Sequence, residues 1–331
     1  MTVLRFQSIA LAYLIPVALF AQAPPALPPL PTAVSSLGAA TADGYLYVYG
    51  GHAGKTHSYD TKSVLGTFHR VKLDGGTTWE ALPGGPILQG MNLASHEGKI
   101  HRIGGMEPKN APGEVSDNHS STSFACYNPQ AKIWEELTPL PVGRSSHDVA
   151  VLGSKIVVVG GWCMKGKGEK PLWHDTTLIF DLANRAAGWK AIPQPFQRRA
   201  LTTATLADKV YIIGGMTTEG AERTTNILDV ETGKWTSGPP MPGPDRTGFS
   251  PSSATIGGRL ILNASAGPVY RLTTDGKAWE KVGEARTKRM VARLVPHGEV
   301  GILVGGASGG SNVAAVEFIH INAKGEPIEM P

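Results

Sequence analysis

Residues Thr138 to Pro193 read TPLPVGRSSHDVAVLGSKIVVVGGWCMKGKGEKPLWHDTTLIFDLANRAAGWKAIP. A proline-bounded turn and the lead-in Arg144-Ser145-Ser146-His147 come first, followed by the mixed apolar run Asp148 to Leu152. A Gly153-Ser154 turn separates that run from the apolar strand Lys155 to Val159, which ends on Gly160-Gly161. After a long irregular loop, Thr176 to Phe180 closes on Asp181, and a last strand holds Trp189. Four short runs divided by turn residues describe one antiparallel sheet. Such a sheet cannot bury both faces alone, so it must stack on copies of itself.

The copies are in the chain. Paired glycines end apolar strands at Gly50-Gly51, Gly104-Gly105, Gly160-Gly161, Gly214-Gly215 and Gly305-Gly306, the first four pairs 54 to 56 residues apart. The 91-residue gap before the last pair holds two units, the weaker with Arg259 to Asn263 as its second strand and Ala264-Ser265 in place of the glycines. Downstream of the pairs stand Trp79, Trp134, Trp189, Trp235 and Trp279, with Ile328 near the equivalent place in the sixth unit. Apolar strand, double glycine, a Tyr127-Asn128 or Phe180-Asp181 strand end and a tryptophan together resemble the kelch family. That resemblance implies an all-β fold, a six-bladed kelch-type β-propeller of four-stranded antiparallel blades over residues 32–331. Composition agrees, since 41 Gly and 25 Pro without a long helix-period stretch suit a turn-rich β domain. A fold of this kind hosts many activities, so function must come from the site.

The N-terminal 1–23 reads as a secretory signal peptide: Arg5, the apolar run Ile9 to Phe20, then Ala21-Gln22-Ala23. Export to a secreted or periplasmic location is expected, with no membrane span after removal. An uncleaved anchor is the other reading, favoured by Pro24. Residues 24–31 are proline-rich and read as an extended linker. The sixth sheet is completed either by a C-terminal strand near Pro327 to Met330 or by residues near Leu27 to Leu30. Cys126 and Cys163 either pair or remain separate thiols. The net charge of +4 is small and no basic run carries interleaved aromatics, which argues against nucleic acid. Two cysteines with scattered histidines make no metal pattern, so neither metal nor cofactor is expected.

In a propeller, the loops between second and third strands share one rim with the loops that join blades, and here those loops are the long and varied ones. On that rim Arg144, Arg198 (with Arg199), Arg246 and Arg289 lead into the innermost strands. Converging at the channel mouth they would fork onto a carboxylate or phosphate; turned inward they would bond neighbouring backbone. His147, and His174 beside Trp173 and Asp175, are further binding candidates. Trp162 and Trp173 offer either a sugar platform or a blade cover. Asn118-His119-Ser120 and Asn263-Ala264-Ser265 are sequons.

Two enzyme families share the kelch ring. Galactose oxidase needs a copper site and an extra domain that this chain does not match. The chain is similar to exported bacterial N-acetylneuraminate epimerases in its signal peptide, its size and the run Gly305 to Gly310. That resemblance implies a catalytic Arg at Arg223 and a carboxylate shuttle, for which Glu219 or Glu222 would serve because Met216 stands at the expected place. The expected partner is a sugar, an anionic small molecule or a protein bound on the loop rim. A sugar-acid epimerase or mutarotase is the alternative.

Overall fold

The run Ile156-Val157-Val158-Val159 is apolar at every position because its sheet is buried on both faces. Ile156 and Val158 pack with Ile103 and Phe124 of the preceding unit, whereas Val157 and Val159 pack with Val210 and Ile212 of the next. Each such side chain, fully buried, contributes about 1.5–3 kcal/mol. The strand Asp148–Leu152 pairs antiparallel with Lys155–Val159, which pairs with Thr176–Asp181, which pairs with Trp189–Pro193. Strand order in the sheet is therefore chain order, from innermost to outermost.

In the computed structural model, which describes residues 26–265 and 267–320, this unit recurs around an axis. The innermost strands are Gly38–Ala42, Asn92–His96, Asp148–Leu152, Thr202–Leu206, Ser252–Ile256 and Arg293–His297. Each packs beside the next, and Arg293–His297 packs back on Gly38–Ala42, so six blades close into a ring. Blades one to five have four strands each. Among the described residues blade six has three: Arg293–His297, Val300–Val304 and Val316–His320. The signal-peptide reading of 1–23, Ile328 and the strand near Pro327 to Met330 lie outside the described residues.

The repeat tryptophans show how the ring is closed. Trp134 donates its indole N–H to the Pro83 carbonyl at 2.8 Å, Trp189 to Thr138 at 2.9 Å, Trp235 to Pro193 at 3.0 Å and Trp279 to Pro239 at 3.1 Å. Every one of these acceptors ends, or just follows, the outer strand of the preceding blade. Trp79 of blade one donates instead to Pro29 at 2.8 Å and Pro28 at 3.2 Å. Residues 28 and 29 thus stand where the end of blade six's outer strand belongs. Leu30 N–H donates to Ala314 O as Leu140 N–H donates to Thr122 O, and Leu27 and Leu30 are buried beside Val304 and Phe318.

The linker reading of 24–31 is corrected accordingly: its described part, 26–31, is built into the ring, with Leu27 and Leu30 buried against Val304 and Phe318. Leu30→Ala is expected to lower the unfolding free energy by about 3 kcal/mol, like the equivalent Leu140→Ala. Urea titration measures both; a loss under about 1 kcal/mol for Leu30 alone would mark the segment as loosely held.

Candidate functional site

One residue per blade, just before each innermost strand, has a left-handed backbone: Ser36, Gly90, Ser146, Ala200, Ser250 and Val291, with φ between 49° and 61°. Five successive backbone hydrogen bonds of 2.6–3.0 Å link them around the axis, from Gly90 N–H to Ser36 O, and so on to Ser250, with Ser36 N–H reaching Val291 O. These residues form a collar tied by backbone hydrogen bonds. Positions counted from the collar fix where the neighbouring side chains go.

Two residues before the collar stand Arg144, Arg198 and Arg289, which are 1%, 0% and 2% exposed. Their guanidinium groups turn into the blades, not toward the channel mouth. Arg144 donates to Gly160 O and Thr176 O, Arg198 to Gly214 O and Thr224 O, and Arg289 to Gly305 O and Ala315 O. Each thereby clamps the double glycine to the start of the third strand. Arg289 also meets Glu317 at 2.8 Å, and Arg198 Nε lies 3.1 Å from Glu222, off the N–H axis, so that contact is Coulombic only. Burial pushes the guanidinium of Arg144 down to about 10, and Asp175 opposes that only by its distant charge. The glycines complete the joint: a Cβ on Gly104 would meet Arg144 O at 2.4 Å, so only glycine admits the next blade there. Arg144→Ala should therefore cost about 3 kcal/mol of stability, as read by urea unfolding.

One residue before the collar, side chains face the axis. Ser145, Gln89 and Arg199 occupy this position, each bridged by backbone to the residue after a double glycine, Trp162, Met106 and Met216 respectively. Together with the collar and the loop residues they line a cavity of about 520 Å³ to which all six blades contribute. Arg199 is the cation here. Its guanidinium lies 4.1 Å over the Trp162 ring and 5.7 Å from that of Trp173. Among the described residues it has no ion pair, and its Nε has no hydrogen-bond partner. Burial lowers its basicity and the neighbouring Tyr59 works the other way. No Asp or Glu is among the lining residues.

Beneath the collar the channel is filled. Two residues after it stand Gly38, Asn92, Asp148, Thr202, Ser252 and Arg293, the first residue of each innermost strand. Arg293 crosses to Asp148 at 3.0 Å and donates to Leu37 O and Met91 O. Asp148 also accepts from Asn92 at 2.8 Å and from Thr203 N–H at 2.7 Å. The cavity is therefore blind, floored by the collar and this polar plug. Its Arg293 is already neutralised, which among the described residues leaves Arg199 as the uncompensated charge of the lining.

The other candidate residues fall outside the cavity, with one exception. His147 lines it, yet stands where Leu37, Met91 and Leu201 stand in other blades, and both ring nitrogens are buried without partners. Burial, then Arg144 and Arg293, holds it well below the usual imidazole range, so it is a neutral packing group. His174 donates its Nε2–H to Gly143 O (3.0 Å) and is pushed down to about 4 by burial, with Arg144 adding repulsion. Trp173 pairs with Trp162 in a two-stranded ribbon, rings edge-on at 5.5 Å, and Arg199 covers the Trp162 face that a sugar would need. Arg246 is exposed on the short turn Asp245–Gly248. Arg223 is bound to Asp245 at 3.1 Å and Met241 O at 2.9 Å, and Glu219 is exposed at a loop tip. Glu219, Glu222 and Arg223 do not line the cavity.

Both cysteines are free thiols. Asn118 and Asn263 are 8% and 3% exposed, so neither sequon is accessible in the folded chain. Arg199 was named only as the neighbour of Arg198, and Asp148 and Arg293 were missed, because aligning arginines on the glycines selects the clamp position. The signal was alternation: the residue after a buried clamp faces the opposite way.

Comparison with known proteins agrees with this architecture. The Kelch motif matches residues 197–242. Kelch-like protein terF of Aspergillus terreus is 23% identical over 255 residues, 73% of this chain and 53% of that protein. Kelch-like protein 40 of Mus musculus is 27% identical over 215 residues, 61% of this chain and 32% of that protein. The chain thus spans about half the length, or less, of these curated relatives. The solved structure of YjhT superposes with a TM-score of 0.73 at 19% identity, covering 90% of this chain and 97% of that one, which is a likeness of fold. The repeated double glycines, the tryptophan ladder, the six blades and these matches agree: the chain folds as a six-bladed, kelch-type β-propeller.

Proposed function

We propose that this propeller is a ligand-binding scaffold whose blind cavity takes a small anion on Arg199. One observation carries the reading: a half-buried guanidinium without a counter-ion stands in a cavity with no lining carboxylate. A partly desolvated cation binds an anion more strongly than an exposed one, and its in-plane N–H edge suits a forked carboxylate contact. Calorimetric titration with a carboxylate and its neutral amide tests this. The acid should bind at least about tenfold tighter, an advantage of about 1.4 kcal/mol that Arg199→Gln removes. Equal affinities for acid and amide would end the reading.

The epimerase alternative requires a carboxylate at the reacting sugar, and Glu219 and Glu222 stand outside the cavity. Purified protein is expected to leave mutarotation of N-acetylneuraminate, followed by NMR, at the buffer rate; acceleration would restore catalysis. A protein partner on the rim is favoured by exposed apolar tips, Leu172 and Val115 among them. Retention of one partner by the wild type and not by Leu172→Asp would support it. Export remains part of the proposal, and the N-terminal mass of protein recovered outside the cytoplasm tests it.

A further inference from the structure

We infer that the ligand is an amphipathic monocarboxylate, one carboxylate on a compact aromatic or branched apolar body, and not a polyhydroxylated sugar acid. This rests on the anion reading above and narrows it. The wall around Arg199 is thioether and aromatic: Met106, Met164 and Met216 come from three successive blades, and Trp162 and Phe249 join them. Met216 is bridged by backbone to Arg199 itself, so apolar surface begins directly beside the cation. Methionine thioethers adapt to irregular apolar shapes and favour contact with aromatic rings.

A sugar acid presents several hydroxyls, each losing water on binding and each needing a partner in return. Vicinal hydroxyls are met by carboxylates and amides, and the lining holds no carboxylate. Its two amides, Gln89 and Asn118, are both buried, and the Trp162 face that could stack on a pyranose ring is covered by Arg199. A sugar acid bound here would find the hydroxyls of Ser36, Ser145, Ser146, Ser250 and Tyr59 but no carboxylate, and would leave the surface of Met106, Met164, Met216 and Phe249 without an apolar partner.

Charge count limits the ligand further. Arg293 is neutralised by Asp148, so among the described residues the cavity supplies one cation without an ion pair, Arg199. A second carboxylate would be desolvated without a partner, which disfavours dicarboxylates. The volume, about 520 Å³, lies in the range of pockets that enclose a small organic molecule.

The test is calorimetry at low ionic strength on the whole protein with phenylacetate, phenylacetamide, glucuronate, N-acetylneuraminate and succinate. Phenylacetate is expected to bind at least about tenfold more tightly than each of the others. Arg199→Gln should lose that advantage and leave phenylacetamide unchanged; Arg199→Lys, which keeps the charge without the fork, should fall between. Met216→Ser should weaken phenylacetate and not glucuronate, and unfolding midpoints of all variants are read alongside. Sugar acids binding as well as phenylacetate would overturn this inference and leave the anion reading standing. Phenylacetamide binding as well as phenylacetate would overturn the anion reading itself, and no binding by any compound would overturn both.

Discussion

Replacing Asp148 with alanine is expected to lower the unfolding free energy by about 3 kcal/mol, because it leaves the largely buried Arg293 guanidinium without its counter-charge. The carboxylate of Asp148 joins blades two, three, four and six: it accepts from Asn92, from Thr203 N–H and from Arg293. Truncation removes the acceptor of all three donors, and Asp148 itself is only 2% exposed. A double-mutant cycle separates charge from packing. Asp148→Leu combined with Arg293→Met should recover much of the loss, since removing both charges also removes both desolvation penalties. A loss below about 1 kcal/mol for Asp148→Ala in urea titration would mean that water reaches the plug.

Acid should unfold this protein earlier than its exposed carboxylates alone would bring about. Burial pushes His101 and His174 down to about 4, and His147 is held well below its ordinary value. In the unfolded chain these imidazoles titrate near 6.5, so above that pH both states are neutral and stability is full. As pH falls from about 6.5 toward 4, the unfolded chain takes up protons that the folded chain refuses, and stability declines. His101 and His174 together account for a loss on the order of 6 kcal/mol by pH 4. Unfolding near pH 5 should therefore take up about two protons from this pair, with His147 adding to it. His174→Gln, which can still reach Gly143 O, should flatten the slope. Unfolding midpoints independent of pH between 6.5 and 4.5 would show these rings to be hydrated or paired.

The blades could be read from the chain because their cause is local. A double glycine follows the second strand in five of the six blades, and the next blade's backbone leaves no room for a Cβ at Gly104 or Gly160. The repeat tryptophans are held by a carbonyl one blade back, at Pro83, Thr138, Pro193 and Pro239, which keeps them in phase. Ring closure was left open because it joins residues 28 and 29 to Trp79 and Leu30 to Ala314, and no local pattern records that pairing. Residues Pro28-Pro29-Leu30-Pro31 do match Pro239-Pro240-Met241-Pro242 and echo Thr138-Pro139-Leu140-Pro141, and that was the available sign.

The site was legible only to within one residue. Arginines in register with the glycines are the ones that clamp blade to loop, at Gly160, Gly214 and Gly305. The adjacent Arg199 recurs in no other unit, so a search for repeats passes over it. Function in a repeat fold sits where one copy departs from the others. Asp148 and Arg293 follow the same rule, a lone acid and a lone base in a column otherwise of Gly, Asn, Thr and Ser.

The most direct measurement is a crystal structure with 4-bromobenzoate, in which anomalous scattering locates the bromine and the electron density locates the carboxylate. The expected result places the carboxylate on the in-plane N–H edge of Arg199 and the bromine among Met106, Met164 and Met216, with both lost in Arg199→Gln. Bromine signal confined to the outer surface of the blades, or a carboxylate turned away from Arg199, would contradict the assignment of this cavity as an anion site.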